Sequence, residues 1–132
     1  MGCDIHLYFE KINHEGIWEQ VEITPEEIIP DDRSYYLFAF LFNVRNYEEF
    51  KIPISKFSNR GIPEDSCIEK VIEYECLHSI TYILGSEISQ IIWPEDLKDC
   101  YFRIFLQNVF PRISDMWNID GSDIRIIIGF DN

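Results

Sequence analysis

A chain of 132 residues, 46% of them hydrophobic and 15% aromatic, carries enough apolar material to bury one core without disulfides or a structural metal, so a single domain over residues 1–132 is expected. Its 24 acidic against 11 basic side chains give a net charge of -13, which repels a phosphate backbone and disfavours nonspecific nucleic-acid binding. The longest unbroken apolar run, LFAFLF at 37–42, falls far short of the roughly 20 residues that cross a bilayer, so no membrane span is expected.

Cys3, Cys67, Cys76 and Cys100 stand far apart with no CxxC, and Asp4, His6 and Glu10 interrupt the first apolar residues, which reads against a signal peptide. Reduced thiols in a cytoplasmic protein follow as the expectation. The opening MGCDIH has Gly2 but places His6 where N-myristoylation requires Ser or Thr, so it is not read as a lipid anchor.

From Cys3 to Ile12 the residues alternate, Cys3, Ile5, Leu7 and Phe9 on one face and Asp4, His6, Tyr8 and Glu10 on the other, the period of a half-buried strand. NHEG supplies a turn of more than two residues and IWEQVEI a partner strand, so the first 23 residues predict a hairpin. After the proline-bearing TPEEIIPDD, the segment RSYYLFAFLFNVRN predicts a helix, apolar nearly all round and hence buried, with Arg45 and Asn46 at its C-terminal end. Residues 47–65 carry Pro53, Gly61 and Pro63 and predict a long surface loop.

SCIE at 66–69 fits a capping box, with Ser66 as cap, opening a short helix to about Tyr74. HSITYIL (78–84) predicts a strand ended by Gly85, and SEISQII a short helix. Pro94 suits the first turn of a longer helix that Pro111 should kink or end near Phe110. After the turn residues NIDGSD, IRIIIGFDN closes the chain as a strand, with Ile124, Ile126, Ile128 and Phe130 on one face and Arg125, Ile127, Gly129 and Asp131 on the other. Terminal strands with helices between them predict an α+β fold, a small antiparallel or mixed sheet built from the N-terminal hairpin and the C-terminal strand and covered by helices. If those strands are neighbours, Asp4, His6, Tyr8, Arg125 and Asp131 share a sheet face.

Asp4 and His6, two residues apart on a strand face, project side by side about 6 to 7 Å apart at the backbone. Such a pair can share a metal ion, or one group can orient the other as a base; on its own it equally describes a solvated strand edge. His78 beside Ser79 opens another strand and could serve as ligand, general base or phosphate contact, or cap the preceding helix. Arg45, Arg60 and Arg125 have the planar fork that suits phosphate or carboxylate, and each could instead pair with one of the 24 acids. Cys3 is expected to point inward as a small core residue.

Five blocks, MGCDIH, YYLFAFLFNVRN, RGIPEDS, LHSITYI and IRIIIGFDN, occur in order along the chain. With them the chain resembles a family of small phage and prophage proteins that begin with an MGCDIH signature. Tyr82 stands where that pattern has tryptophan, Gly129 where it has a bulky aromatic, and residues 85–120 lie outside it. The resemblance implies that Cys3, Asp4, His6, Arg45, Asn46, Arg60, His78, Ser79, Arg125, Asp131 and Asn132 belong to recurring blocks, a dispersed polar set of the kind that lines a pocket.

The function expected on these grounds is a phage-type accessory protein of the host cytoplasm. It would bind, and in one form cleave, a small phosphorylated, nucleotide-like ligand, a candidate counter-defence role. Asp4, His6 and His78 would be its catalytic groups and Tyr8, Arg45, Asn46, Ser79, Arg125 and Asn132 its ligand contacts, with Tyr8, Trp18, Tyr35 and Tyr82 as stacking surfaces. An alternative is a metal-dependent phosphoesterase or nuclease in which Asp4, His6, His78 and Asp131 hold a divalent metal and a bound water attacks. A third is an acidic inhibitor of a host protein, although the acids are spread along the chain rather than gathered in one run. A homo-oligomer is compatible with each.

Overall fold

The computed structural model describes residues 4–22, 35–46, 51–116 and 120–131. Four strands form one antiparallel sheet: β1 (Asp4–Ile12), β2 (Trp18–Val21), β3 (His78–Leu84) and β4 (Ile124–Asp131), in the order β2-β1-β4-β3. The two terminal strands are the central pair. Asp4 faces Asp131 and the register runs without a break to Lys11 opposite Ile124. The α+β expectation, with an N-terminal hairpin and a C-terminal strand in one sheet, is met.

The alternation along β1 and β4 decides which residues meet the main core. Ile5, Leu7 and Phe9 and, opposite them, Ile126, Ile128 and Phe130 face α1 (Tyr35–Phe42), whose Leu37, Phe38, Ala39, Leu41 and Phe42 are all buried. Burying each large side chain contributes on the order of 1.5–3 kcal/mol, so packing holds α1 against the sheet. Ring contacts tie the layers: Phe38 and Phe42 lie 5.0 and 5.4 Å from Phe130, and Phe9 lies 5.8 Å from Phe105.

The opposite face is not left to solvent, as the polar alternation had suggested. Ile127, with Tyr8, Ile80 and Tyr82 beside it, packs against Ile68 and Ile72 of and just before α2 (Glu69–Tyr74), forming a second small core. Glu10 and Arg125, also on this face, are 0% and 4% exposed. Ser66 does not cap α2: its hydroxyl donates to Glu10 and accepts from the Ile68 N–H, and Ile68 occupies the cap position without a side-chain bond.

The region after β3 departs furthest from the sequence pattern. Gly85–Gln90 is a 3-10 segment, and the long helix expected from Pro94 is divided into a 3-10 turn (Glu95–Leu97), α3 (Tyr101–Ile104), a π-helical turn (Phe105–Val109) and α4 (Phe110–Met116). Pro111 does not end the helix. The wider π turn directly before it, with the Phe110 N–H bonded to the Phe105 carbonyl, moves the preceding carbonyls away from the proline ring. Among the described residues, no helix is long and apolar enough to cross a membrane.

Candidate functional site

The start of β1, the end of β4 and the start of β3 meet at one end of the sheet, which gathers Asp4, His6, His78, Ser79 and Asp131. Asp4 is directly opposite Asp131 and His6 opposite Gly129, so His6 and Asp131 are diagonal neighbours on one face. Their side chains meet, with His6 Nε2 2.6 Å from Asp131 Oδ2. An ionised carboxylate only accepts, so Nε2 carries the proton toward Asp131 and a neutral imidazole keeps its lone pair on Nδ1. The pair is half-buried, with side-chain exposures of 31% and 42%, oriented yet open to a ligand.

His78 faces Phe130, and its ring lies 6.2 Å from that phenyl ring. This puts His78 on the main-core face, across the sheet from His6 and Asp131. The cause is a bulge: two residues of β3, Ser79 and Ile80, lie between His78 and Thr81, against one of β4, Gly129, between Phe130 and Ile128. Ser79 sits at the bulge with φ 54° and its hydroxyl 2.9 Å from His78 Nδ1. The expected metal set of Asp4, His6, His78 and Asp131 is therefore not brought together, and among the described residues no group of three or more His, Cys, Asp or Glu is placed to hold a metal ion.

Arg45 lies beyond the C-terminal end of α1, also at φ 54°, with its guanidinium 5.0 Å above the Tyr35 ring. Ring contacts run from Tyr35 through Phe38 to Phe130 and His78, so Arg45 and His78 flank one aromatic wall. Left-handed backbone at an arginine and a serine costs on the order of 1–3 kcal/mol each, and such strain gathers at functional sites.

Further expected ligand contacts are tied to groups of this chain. Asn46 pegs the chain after α1, its amide donating to the Ile52 carbonyl at 2.6 Å and to Asn43 at 3.0 Å while its oxygen accepts from the Ile52 N–H. Tyr8 packs in the second core, and its hydroxyl is pushed above its ordinary pKa by burial and then by the Glu75 charge. Arg125 is sealed in: its guanidinium meets Glu10 Oε1 through Nε and Nη2 at 2.8 Å, reaches Asp65 at 2.9 Å and lies 3.7 Å over the Trp18 ring. The second Glu10 oxygen accepts from Ser66 and from both the N–H and thiol of Cys67. Burial and that thiol contact push Cys67 up to about 11. Arg60 forks onto Glu87 at 2.7 and 2.8 Å, donates to the Tyr82 carbonyl and stacks between Phe57 and Tyr82. Arg45, Arg60 and Arg125 thus each stack on an aromatic of this chain, which accounts for much of the Arg and aromatic content that had suggested a nucleotide pocket. Cys3 and Asn132 lie outside the described residues.

The sequence reading missed Glu10 and Asp65 as the partners of Arg125, although the alternation already puts Glu10 on its face. The chain matches no family model, no curated protein and no solved structure.

Proposed function

We propose that the protein binds a small phosphorylated, nucleotide-like ligand at the end of the sheet, with His6 as the proton-transferring group and Asp131 as its orienting partner. The observation that carries this reading is the 2.6 Å contact between His6 Nε2 and Asp131, half-exposed at an open sheet end. A carboxylate that fixes the tautomer and direction of an imidazole is the arrangement general acid–base chemistry requires.

A ligand, unlike a single metal ion, can wrap the sheet end past Phe130, where Arg45 and His78 on the far face offer contacts for a phosphate and Tyr35 a ring face beside Arg45. In a chain of net charge -13 an anion needs such a local cationic group to overcome the surrounding field. Cleavage of a phosphoester at this site would use His6 Nδ1 to accept a proton from the attacking hydroxyl or water. The dispersed donor set weakens the metal-phosphoesterase alternative, because His78 and His6 project from opposite faces. The likeness of five sequence blocks to phage and prophage proteins supports counter-defence as the setting for ligand capture.

The test is heat release of bound small molecules from purified protein, followed by thermal-shift titration with adenosine mono- and diphosphates and with cyclic nucleotides. Binding that is lost in His6→Ala and in Arg45→Ala supports the reading; no released nucleotide and no thermal shift with any of them overturns it.

A further inference from the structure

An apolar concavity lies away from the His6–Asp131 end. A cavity of about 450 Å³ opens where β4 begins, between the 3-10 segment after β3 and the π turn that joins α3 to α4. Ile124 lines it and Asp131 ends the same strand, so the two places are about 23 Å apart along β4. The cavity is independent of the proposed nucleotide site.

Its floor is apolar and fixed, made by Ile88, Leu106, Phe110 and Ile124, all buried. One wall is backbone against backbone. A Cβ on Gly85 would come within 2.8 Å of the Gly121 carbonyl, and a Cβ on Gly121 within 3.0 Å of the Ser86 nitrogen, so two glycines are what allow these segments to close the cavity's side. Ser89, Gln107 and Asp115, all exposed, line its mouth. Arg103 donates to the Gln107 side-chain oxygen at 3.3 Å, which occupies that acceptor.

Two further features favour a ligand over a packing gap. The volume lies within the range of small-molecule sites, which are mostly apolar with a few convergent polar groups. The wall formed by Leu106 and Gln107 is a π-helical turn, a conformation rare in proteins and concentrated at functional sites. Asp115 is the one charged side chain lining the cavity among the described residues, and the net charge of -13 has the same sign. An anionic ligand is therefore disfavoured here, and a donor or cationic end is favoured at the mouth.

The geometry points to a second binding site, for a small aromatic amine: a flat apolar ring on the Leu106, Phe110 and Ile124 floor, with its ammonium directed to Asp115. The site separates ligands by charge, because amine and carboxylate analogues of one ring bury the same apolar surface and differ only at the mouth.

Tryptamine and indole-3-propionate are suitable probes of equal ring and opposite charge. Each is titrated into isotopically methyl-labelled protein at neutral pH, following the isoleucine methyl resonances. Saturable shifts of the Ile88 and Ile124 methyls with tryptamine, at least ten-fold weaker with indole-3-propionate, are expected. Asp115→Asn removes most of that ten-fold preference, and Ser89→Trp, which fills the mouth from an exposed position, abolishes binding with little change in melting temperature. Overturning results are an absence of saturable shifts at Ile88 and Ile124 in the wild-type protein, equal or tighter binding of the propionate, or undiminished tryptamine binding in Ser89→Trp. The outcome is separate from that at the other end of the sheet, which His6 and His78 report.

Discussion

Replacing Arg125 by methionine isolates the buried charge pair that joins the two central strands to the 65–67 loop. The substitution removes the contacts of Nε and Nη2 with Glu10 Oε1 and the 2.9 Å bond to Asp65, together with the cation stacked over Trp18. It leaves the Glu10 carboxylate 0% exposed, with donors on its second oxygen only. Stranding a buried charge in this way costs on the order of 3–5 kcal/mol, whereas the Asp65 contact, 64% exposed on the acidic side, adds little. For a domain of this length each kcal/mol moves the midpoint by about 3–5 °C, so melting should fall by roughly 10–25 °C. Urea unfolding at unchanged m-value gives the same quantity directly. The double variant Glu10→Gln/Arg125→Met should be more stable than Arg125→Met alone, since an amide still accepts from Cys67 and no charge is stranded. A loss below about 1 kcal/mol in Arg125→Met, or a double variant less stable than the single one, would refute the reasoning.

The remaining predictions concern neighbouring features. The bond from Arg60 holds the Glu87 carboxyl below its ordinary 4.5, so this pair's contribution is present above pH 4.5 and is lost as pH falls through the lowered native value; Glu87→Gln should flatten the stability–pH slope in that acid window, and an unchanged slope in acid unfolding contradicts the pairing. Cys67, exposed but raised from 9.0 to about 11, should be alkylated by iodoacetamide at pH 8 far more slowly than a free thiol, by up to about 100-fold from thiolate fraction alone, and Glu10→Gln should speed it. Gly129→Ala places a Cβ 2.8–2.9 Å from Leu77 and 3.1 Å from Ile80, and should cost about 1–3 kcal/mol in chemical denaturation.

Strand positions and faces were readable because the period-two alternation of β1 and β4 has a direct physical counterpart in the pleat, and β3 was bounded at His78 and Leu84 by composition and Gly85. Antiparallel pairing of the termini with Asp4 opposite Asp131 also makes Glu10 the partner of Arg125, so their ion pair was within reach once that register was assumed. The alternation could not reveal that Ile68 and Ile72 cover the second face, because this depends on where α2 lands and not on the strands' own pattern. It likewise could not place His78, since the bulge at Ser79 moves it, the first residue of β3, to the opposite face. The π turn and the cavity were illegible for a related reason: Pro111 reads as a kink or an end without saying which, and the wider turn before it is what lets the helix continue.

The most direct test of the central claim uses the chain's three histidines as reporters. His6 and His78 flank Phe130 at the sheet end, and His14 lies exposed in the hairpin turn as an internal control. Imidazole resonances are followed while adenosine monophosphate is titrated at constant ionic strength. The account predicts saturable, concerted shifts of His6 and His78 with His14 unmoved, and loss of the His6 response in Asp131→Asn. Shifts of His14 equal to those of the other two, or no saturable shift at His6, would contradict it.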